Sequence, residues 1–318
     1  NTSVSTITVS IDEEPVITVT NQNPICEDAQ NTVITGTSVT NEQSFVYTST
    51  TGTIINNETT LTPTVTPSAL DITNGIITLT IKADANGACL DPARETITIA
   101  IERNPIVTAG ADSTICEGAV ITTNDATALF VGAGNLEWSK NGGDGIFTTD
   151  DQTLVTNYEP GPTEISNGQV QLTLTGTATS PCSANSEATV TYTIVKKPTL
   201  IIAPTTVSIC EDEVYQVTPG QVTITDFTNV DSILWSASSP GTIAVGSARD
   251  LEPLFTPSAA DIANGFSILT AVVTPIGPCT ETLIETIRVD ITKNPTIDIS
   301  GNSLIFCEVE PKQLTATY

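Results

Sequence analysis

Seven cysteines fall along this chain in two alternating settings, and the alternation limits the fold more than any other feature of the sequence. In the first setting the cysteine stands between an apolar residue and a glutamate: Ile25-Cys26-Glu27, Ile115-Cys116-Glu117, Ile209-Cys210-Glu211 and the variant Phe306-Cys307-Glu308. In the second it sits in a turn: Gly87-Ala88-Cys89, Ser180-Pro181-Cys182 and Gly277-Pro278-Cys279. Successive cysteines of the first kind are 90, 94 and 97 residues apart (26 to 116, 116 to 210, 210 to 307). Self-similarity at a fixed period is the mark of a repeat architecture, so one unit is written several times over.

Other landmarks keep the same step. Pro67-Ser68-Ala69-Leu70-Asp71-Ile72-Thr73-Asn74-Gly75 returns as Pro257-Ser258-Ala259-Ala260-Asp261-Ile262-Ala263-Asn264-Gly265, with a looser copy from Pro160 through Glu164, Ile165 and Asn167 to Gly168. Proline at the start and Asn-Gly at the end predict a single helical turn closed by a left-handed cap. After each glycine comes an alternating strand: Ile77-Leu79-Ile81, Val170-Leu172-Leu174, and Phe266-Ile268 running on to Val272. A second strand stops short of a proline. Ile97, Ile99 and Ile101 precede Pro105; Val190, Tyr192 and Ile194 precede Pro198; Ile287, Val289 and Ile291 precede Pro295. This period of two describes a half-buried strand. Ile7, Val9 and Ile11 stand at the same offsets before Pro15.

The expected organisation follows: 1–14 as the last strand of a preceding repeat, complete repeats at 15–104, 105–197 and 198–294, and 295–318 as the start of another. The junctions Glu102-Arg103-Asn104-Pro105, Val195-Lys196-Lys197-Pro198 and Thr292-Lys293-Asn294-Pro295 hold no Gly/Ser tract. Proline holds the residue before it extended, which makes each junction short and stiff. Each repeat carries about seven short strands between Gly, Pro, Asn and Asp turns, the pattern of an immunoglobulin-like β-sandwich. The fold class expected is all-β, tandem immunoglobulin-like sandwiches in an extended rod. At about 33 Å per ten-residue strand, three repeats would reach on the order of 100 Å. Tyr47, Trp138 and Trp235 follow their first-setting cysteines at matching distances and are expected to fill the space between sheets.

Two regular disulfide schemes fit the count. The intra-repeat scheme joins Cys26 to Cys89, Cys116 to Cys182 and Cys210 to Cys279, leaving Cys307 for a partner outside. The other joins Cys89 to Cys116, Cys182 to Cys210 and Cys279 to Cys307. The first is preferred, because a strand and a junction would separate the partners in the second, and a disulfide reaches only about 6 Å between Cα atoms. Either implies an oxidising, extracytoplasmic setting.

Composition removes whole classes of function. The chain has no histidine, which excludes His-based triads, Cys-His pairs and His-ligated metals. Its cysteines stand singly rather than as C-x-x-C, and Gly132-Ala133-Gly134 lacks the helix and lysine of a phosphate loop. No enzyme is expected. A net charge of −26, from 36 acids against 10 bases, repels nucleic acid and anionic lipid. No run of 18 apolar residues offers a membrane span, and no charged-plus-apolar leader opens the chain, so any export signal is expected outside it. Calcium is the one ligand worth carrying, as a weak site only. Asp84 and Asn86 lie in one oxygen-rich loop; Asp144 lies in another, with Asp150 and Asp151 close by. Neither loop has the full EF-hand pattern, and polar turn chemistry accounts for both. The recurrent Asp71, Glu164 and Asp261 are read as hydrogen-bonded corners, and Glu27, Glu117, Glu211 and Glu308 as local structural contacts.

The Ile-Cys-Glu steps, the pairs Tyr47-Thr48, Trp138-Ser139 and Trp235-Ser236, the Pro-Ser-Ala-x-Asp-Ile-x-Asn-Gly corners and Gly-Pro-Cys together resemble the repeats of giant Bacteroidota surface proteins. Among them are the gliding adhesins of flavobacteria and related PKD/Ig-like repeat adhesins. The resemblance covers essentially the whole chain. It departs from the pattern at Pro160-Gly161-Pro162-Thr163-Glu164, where the corner is altered. It implies type IX secretion, attachment at the outer face of the outer membrane, and carriage along the cell by a motor. It also implies O-glycosylation at Asp-Ser/Thr motifs, here at Ser113 (Asp112-Ser113-Thr114) and Ser232 (Asp231-Ser232-Ile233).

Three functions are weighed on this basis. The first is a stalk that holds an adhesive tip away from the cell, its partners being neighbouring repeats, surface polysaccharide or the outer-membrane motility machinery. In the second the repeats themselves bind glycan or surface through many weak contacts. In the third the chain is a filament subunit.

Overall fold

The computed structural model describes residues 3–9, 11–87, 89, 91–132, 134–247 and 249–296; Cys307 and Glu308 lie outside the described residues. The chain is all-β apart from short helices, and it gathers into two compact units. One comprises 1–112, 120–161 and 170–191; the other comprises 113–119, 162–169 and 192–318.

Within residues 16–102 of the first unit, a four-stranded and a three-stranded sheet share one core. A four-stranded sheet runs in the order Ile25–Cys26, Ala93–Glu102, Ile76–Ala85, Glu42–Ser49. A three-stranded sheet runs Thr32–Val33, Thr64–Thr66, Ile54–Asn56, and Val16–Thr18 pairs antiparallel with Ser38–Thr40. The alternation read from sequence is the packing: Ile77, Leu79, Ile81, Ile97, Ile99 and Ile101 turn inward and meet Ile34 and Val65 of the facing sheet, around Tyr47. Side chains of a strand point alternately to its two faces, so only every second residue needs to be apolar. The threonines between them, such as Thr78 and Thr98, pair across the outer face.

The second unit repeats the scheme. Its four-stranded sheet runs Thr206–Cys210, Leu283–Thr292, Phe266–Pro275, Val230–Ala237, and its three-stranded sheet runs Tyr215–Gln216, Leu254–Thr256, Thr242–Ala244. Leu269, Ala271, Val273, Ile287, Val289 and Ile291 pack on Phe255, Val217 and Trp235. The middle repeat has the same strand order, Ser113–Cys116, Ser186–Val195, Gln169–Gly176, Leu136–Lys140, and its residues are divided between the two units.

One pairing departs from simple antiparallel hairpins. The short strand bearing each first-setting cysteine lies parallel to the last strand of its repeat: Cys26 is opposite Glu102, Cys116 opposite Val195 and Cys210 opposite Thr292. A parallel neighbour cannot be reached by a tight turn, so the two segments come from opposite ends of the repeat.

Three one-turn helices punctuate the repeats: α1, Ala69–Asn74; α2, Pro162–Asn167; α3, Ala259–Asn264. Ser68 and Ser258 cap the first and third in reciprocal capping boxes with Asp71 and Asp261. Gly75, Gly168 and Gly265 follow at φ of 73°, 75° and 76°, a left-handed conformation that favours glycine. Their carbonyls accept the amides of Ile101, Ile194 and Ile291 at 2.8–2.9 Å, so each cap also anchors the last strand. The altered corner at Pro160–Glu164 still forms its helix, with Pro162 in the first turn and Glu164 buried. Ile7, Val9 and Ile11 are exposed and lie outside the strands of the described residues.

Candidate functional site

The chemistry that recurs most faithfully lies where one repeat passes into the next. The parallel register brings each Cys-Glu step to the trailing end of its own repeat, beside the residues that precede the junction proline. There the glutamate closes two hydrogen bonds. Its backbone amide donates to the residue three before the proline: Glu27 to Glu102 O at 2.9 Å, Glu117 to Val195 O at 2.8 Å and Glu211 to Thr292 O at 3.0 Å. Its carboxylate accepts the amide of the residue just before the proline: Asn104 N–H to Glu27 at 3.0 Å, Lys197 N–H to Glu117 at 3.0 Å and Asn294 N–H to Glu211 at 3.1 Å.

That amide faces a problem common to all three junctions. It lies beyond the end of the ladder, and the proline after it has no N–H with which to continue pairing. A carboxylate acceptor satisfies it with a charge-assisted bond, worth about 1.5–3 kcal/mol where the group is shielded. At the first junction Arg103 adds a 3.2 Å ion pair to Glu27 and lies over the Phe130 ring. Pro15, Pro105 and Pro198 are themselves buried. The contact is therefore long-range, 77 to 83 residues apart in sequence, rather than the local one expected for these glutamates.

The cysteine next to each clamp carries the covalent half of the junction. The described bridges are Cys26–Cys182 and Cys116–Cys279, with sequence separations of 156 and 163. Both pairing schemes expected from sequence are corrected here: Cys26 does not join Cys89, Cys116 joins neither Cys182 nor Cys89, and Cys279 joins neither Cys210 nor Cys307. The reason is geometric. A turn-setting cysteine lies at the leading end of its repeat, before a last strand of ten residues such as Ala93–Glu102, and the first-setting cysteine lies at the far end of that strand. About 30 Å of strand separates them, against a disulfide reach of about 7 Å. The leading end of one repeat instead meets the trailing end of the repeat before it. Cys182 lies 3.4 Å from Glu102 O, and Cys279 lies 3.6 Å from Val195 O. Each staple thus joins successive repeats. Cys89 and Cys210 are free thiols in the described structure.

The buried acids form a second recurrent feature. Asp71 is fully buried, and its carboxylate accepts from Thr51 at 2.5 Å, Thr53 at 2.7 Å, and the amide and hydroxyl of Ser68 at 2.8 Å each. Asp261 does the same with Ser239 and with the Ser258 amide and hydroxyl, at 2.8 and 2.6 Å for the latter two. Burial pushes both carboxyls up, but the converging donors outweigh it and hold them below the ordinary carboxylate value. Each acid ties its helix to the loop between the preceding strands, Thr51 and Thr53 for Asp71 and Ser239 for Asp261.

The other candidates separate. Tyr47, Trp138 and Trp235 are buried, and both indole N–H groups donate to carbonyls, of Leu154 and Asp250 respectively. Among the described residues no group of three or more His, Cys, Asp or Glu could hold a metal ion. Asp84 is engaged by Lys82 at 2.5 Å and by Ser44; the Lys82 hydrogen bond holds its carboxyl below the ordinary value. Asp150 caps the Gln152 amide at 2.9 Å, and the Asp151 carbonyl accepts from Trp138 N–H. Asn86 lies at the end of the strand carrying Asp84, while Asp144 lies against Gly161. Ser113 is exposed at the head of its strand, with Asp112 accepting the Thr191 amide at 2.7 Å; Ser232 is half-buried at a bulge.

No protein-family model and no curated protein matches the chain. Solved structures to which it is similar include the protocadherin GammaB4 extracellular domain, at 17% identity over 89% of this chain and 52% of that one, with a TM-score of 0.47. Protocadherin Gamma B2 domains 3–6 align at 16% identity over 90% and 78%, TM-score 0.46. Mouse Cadherin-23 EC22–24 aligns at 14% over 89% and 100%, TM-score 0.43. The chain spans about half the length of the protocadherin GammaB4 structure it matches.

Proposed function

We infer that the chain is the repeat region of a secreted bacterial adhesin and serves as a load-bearing stalk. The observation that carries this reading is the double fastening at the junction: a disulfide from each repeat to the next, beside a glutamate that holds the linker amide. A chain that only displayed binding sites would need neither. The disulfides support an oxidising setting, and the proposed location is the outer face of the outer membrane. The acidic surface keeps neighbouring stalks apart. The units of the array are the sequence repeats 15–104, 105–197 and 198–294. Its motifs resemble those of the flavobacterial gliding adhesin SprB, which makes type IX export, gliding motility, and contact with surface polysaccharide or the outer-membrane motility machinery the finer part of the proposal. No catalysis is assigned to it.

The test is a comparison on one protein. The purified chain is applied to a glycan array and to polysaccharide-coated surfaces, and is separately stretched between its ends. The stalk reading expects no saturable binding and a resistance to extension that falls when the disulfides are reduced. Saturable binding that grows with repeat number would replace it with the multivalent reading. Concentration-dependent polymers would replace it with the filament reading.

A further inference from the structure

Cys89 and Cys210 are free, yet each occupies a station that is bridged elsewhere in the same structure. Cys210 pairs in parallel with Thr292 as Cys26 does with Glu102 and Cys116 with Val195. The turn that follows it is also the same: the amide three residues on returns to the cysteine carbonyl at 3.0 Å in all three, from Ala29, Ala119 and Glu213. Glu211 holds the Asn294 amide as its counterparts hold theirs, and Cys210 is exposed among the described residues. Cys89 occupies the complementary station. Its thiol lies 3.4 Å from Asp12 O, three residues before Pro15. Bridged Cys182 and Cys279 stand in the same way against Glu102 O and Val195 O, three residues before Pro105 and Pro198, at 3.4 and 3.6 Å.

We propose that Cys89 and Cys210 are the two complementary halves of further repeat-to-repeat disulfides within the same polypeptide. Cys210 takes a thiol presented on the hairpin tip of the repeat that follows Pro295. Cys89 takes a thiol presented beside a glutamate on the first strand of the repeat that precedes Pro15. Polarity distinguishes this from adventitious oxidation: each thiol accepts only the other class of partner, because each class occupies one end of a repeat. Bond formation removes two protons and two electrons from the pair of thiols. A disulfide-bearing thiol oxidase or a small oxidised disulfide accepts them and leaves as two thiols. The proposal rests on the repeat reading of the chain and not on adhesion.

The test is disulfide mapping of the protein taken from its native cell surface, alkylated at once and digested without reductant. Cys26–Cys182 and Cys116–Cys279 serve as internal controls. The expected result joins Cys89 to a peptide reading apolar-Cys-Glu, and Cys210 to one in which the cysteine follows proline or a small residue. Alkylated Cys89 or Cys210 beside intact controls overturns the proposal and leaves the stalk reading standing on its two described bridges. Like-to-like pairs, a Cys89–Cys210 pair, or multimers that collapse on reduction overturn it as well. Loss of the controls themselves would overturn both.

Discussion

The two bridges overlap in sequence, and the overlap makes their mechanical effect far from additive. Residues 26 and 279 are 253 apart along the chain; opened and unfolded, that stretch extends to about 910 Å at ~3.6 Å per residue. With both bridges closed, the shortest covalent path crosses from Cys26 to Cys182, runs backward over the 66 residues to Cys116, and crosses to Cys279. That path is about 240 Å long. Removing Cys116–Cys279 alone leaves the 97 residues from 182 to 279, about 350 Å. Removing Cys26–Cys182 alone leaves the 90 residues from 26 to 116, about 320 Å. Single losses therefore release only about 110 and 80 Å, whereas opening both releases about 670 Å. The assay is single-molecule stretching of the chain and of two double variants, Cys26→Ser/Cys182→Ser and Cys116→Ser/Cys279→Ser, before and after a phosphine reductant. Bridges within each repeat would instead release about 230–250 Å apiece, independently of one another. Additive increments of that size would refute the staple topology.

Replacing Glu27 with Ala should leave the Asn104 amide without its acceptor, and hydrogen exchange at that one amide should accelerate at least about tenfold, with a loss of about 1–2 kcal/mol in the melting of the first unit. Asp71→Asn should destabilise by about 2–4 kcal/mol, because the amide sets two hydrogens against donors that now meet one acceptor. The pH dependence follows from the lowered carboxyls of Asp71 and Asp261. Their stabilisation is complete above the unfolded value near 4, and is lost as pH falls through the lower folded value. Melting of the Asp71→Asn/Asp261→Asn variant below pH 4 should accordingly depend less on pH than that of the parent chain. Chelation by EDTA should not move the melting temperature; a fall of several degrees would mean that the carboxylates hold a structural ion. Trp138→Ala should cost about 3–5 kcal/mol, read by denaturant unfolding, since the ring is buried and its N–H bonded to Leu154 O.

The strands and corners were legible because their signals are local. Ile77-Leu79-Ile81 and Ile97-Ile99-Ile101 announce a buried face by period two, and Ser68 with Asp71 and Gly75 announces a capped turn within eight residues. Even the altered corner at Pro160–Glu164 kept enough of this chemistry, an acid in the first turn and a closing glycine, to fold alike. The junction was not legible in the same way. Nothing near Cys26 says that its strand lies parallel to Ile101-Glu102, and with an antiparallel picture the two cysteines of one repeat look close. Glu27 reaches Asn104 across 77 residues, an interaction to which no pattern of neighbours points. The available hint was positional. A glutamate always follows the first-setting cysteine, and a proline always ends the last strand, so two fixed features were awaiting a common contact. The oxygen-rich loops show the polar turn chemistry read from their letters: Asp84 is engaged by Lys82, and Asp150 caps the Gln152 amide.

Overlapping staples also decide what a protease can do to such a chain. Cutting any one peptide bond between Cys26 and Cys279 leaves both ends joined: before 116 the fragments are held by Cys26–Cys182, between 116 and 182 by both bridges, and beyond 182 by Cys116–Cys279. Bridges confined within repeats would give no such protection, because a nick at any junction would sever the chain. A surface protein exposed to extracellular proteases thus gains tolerance to nicking from connectivity alone, without burying its loops. Damage would show only on a reducing gel, and two cuts would be needed where one suffices in an unstapled tether.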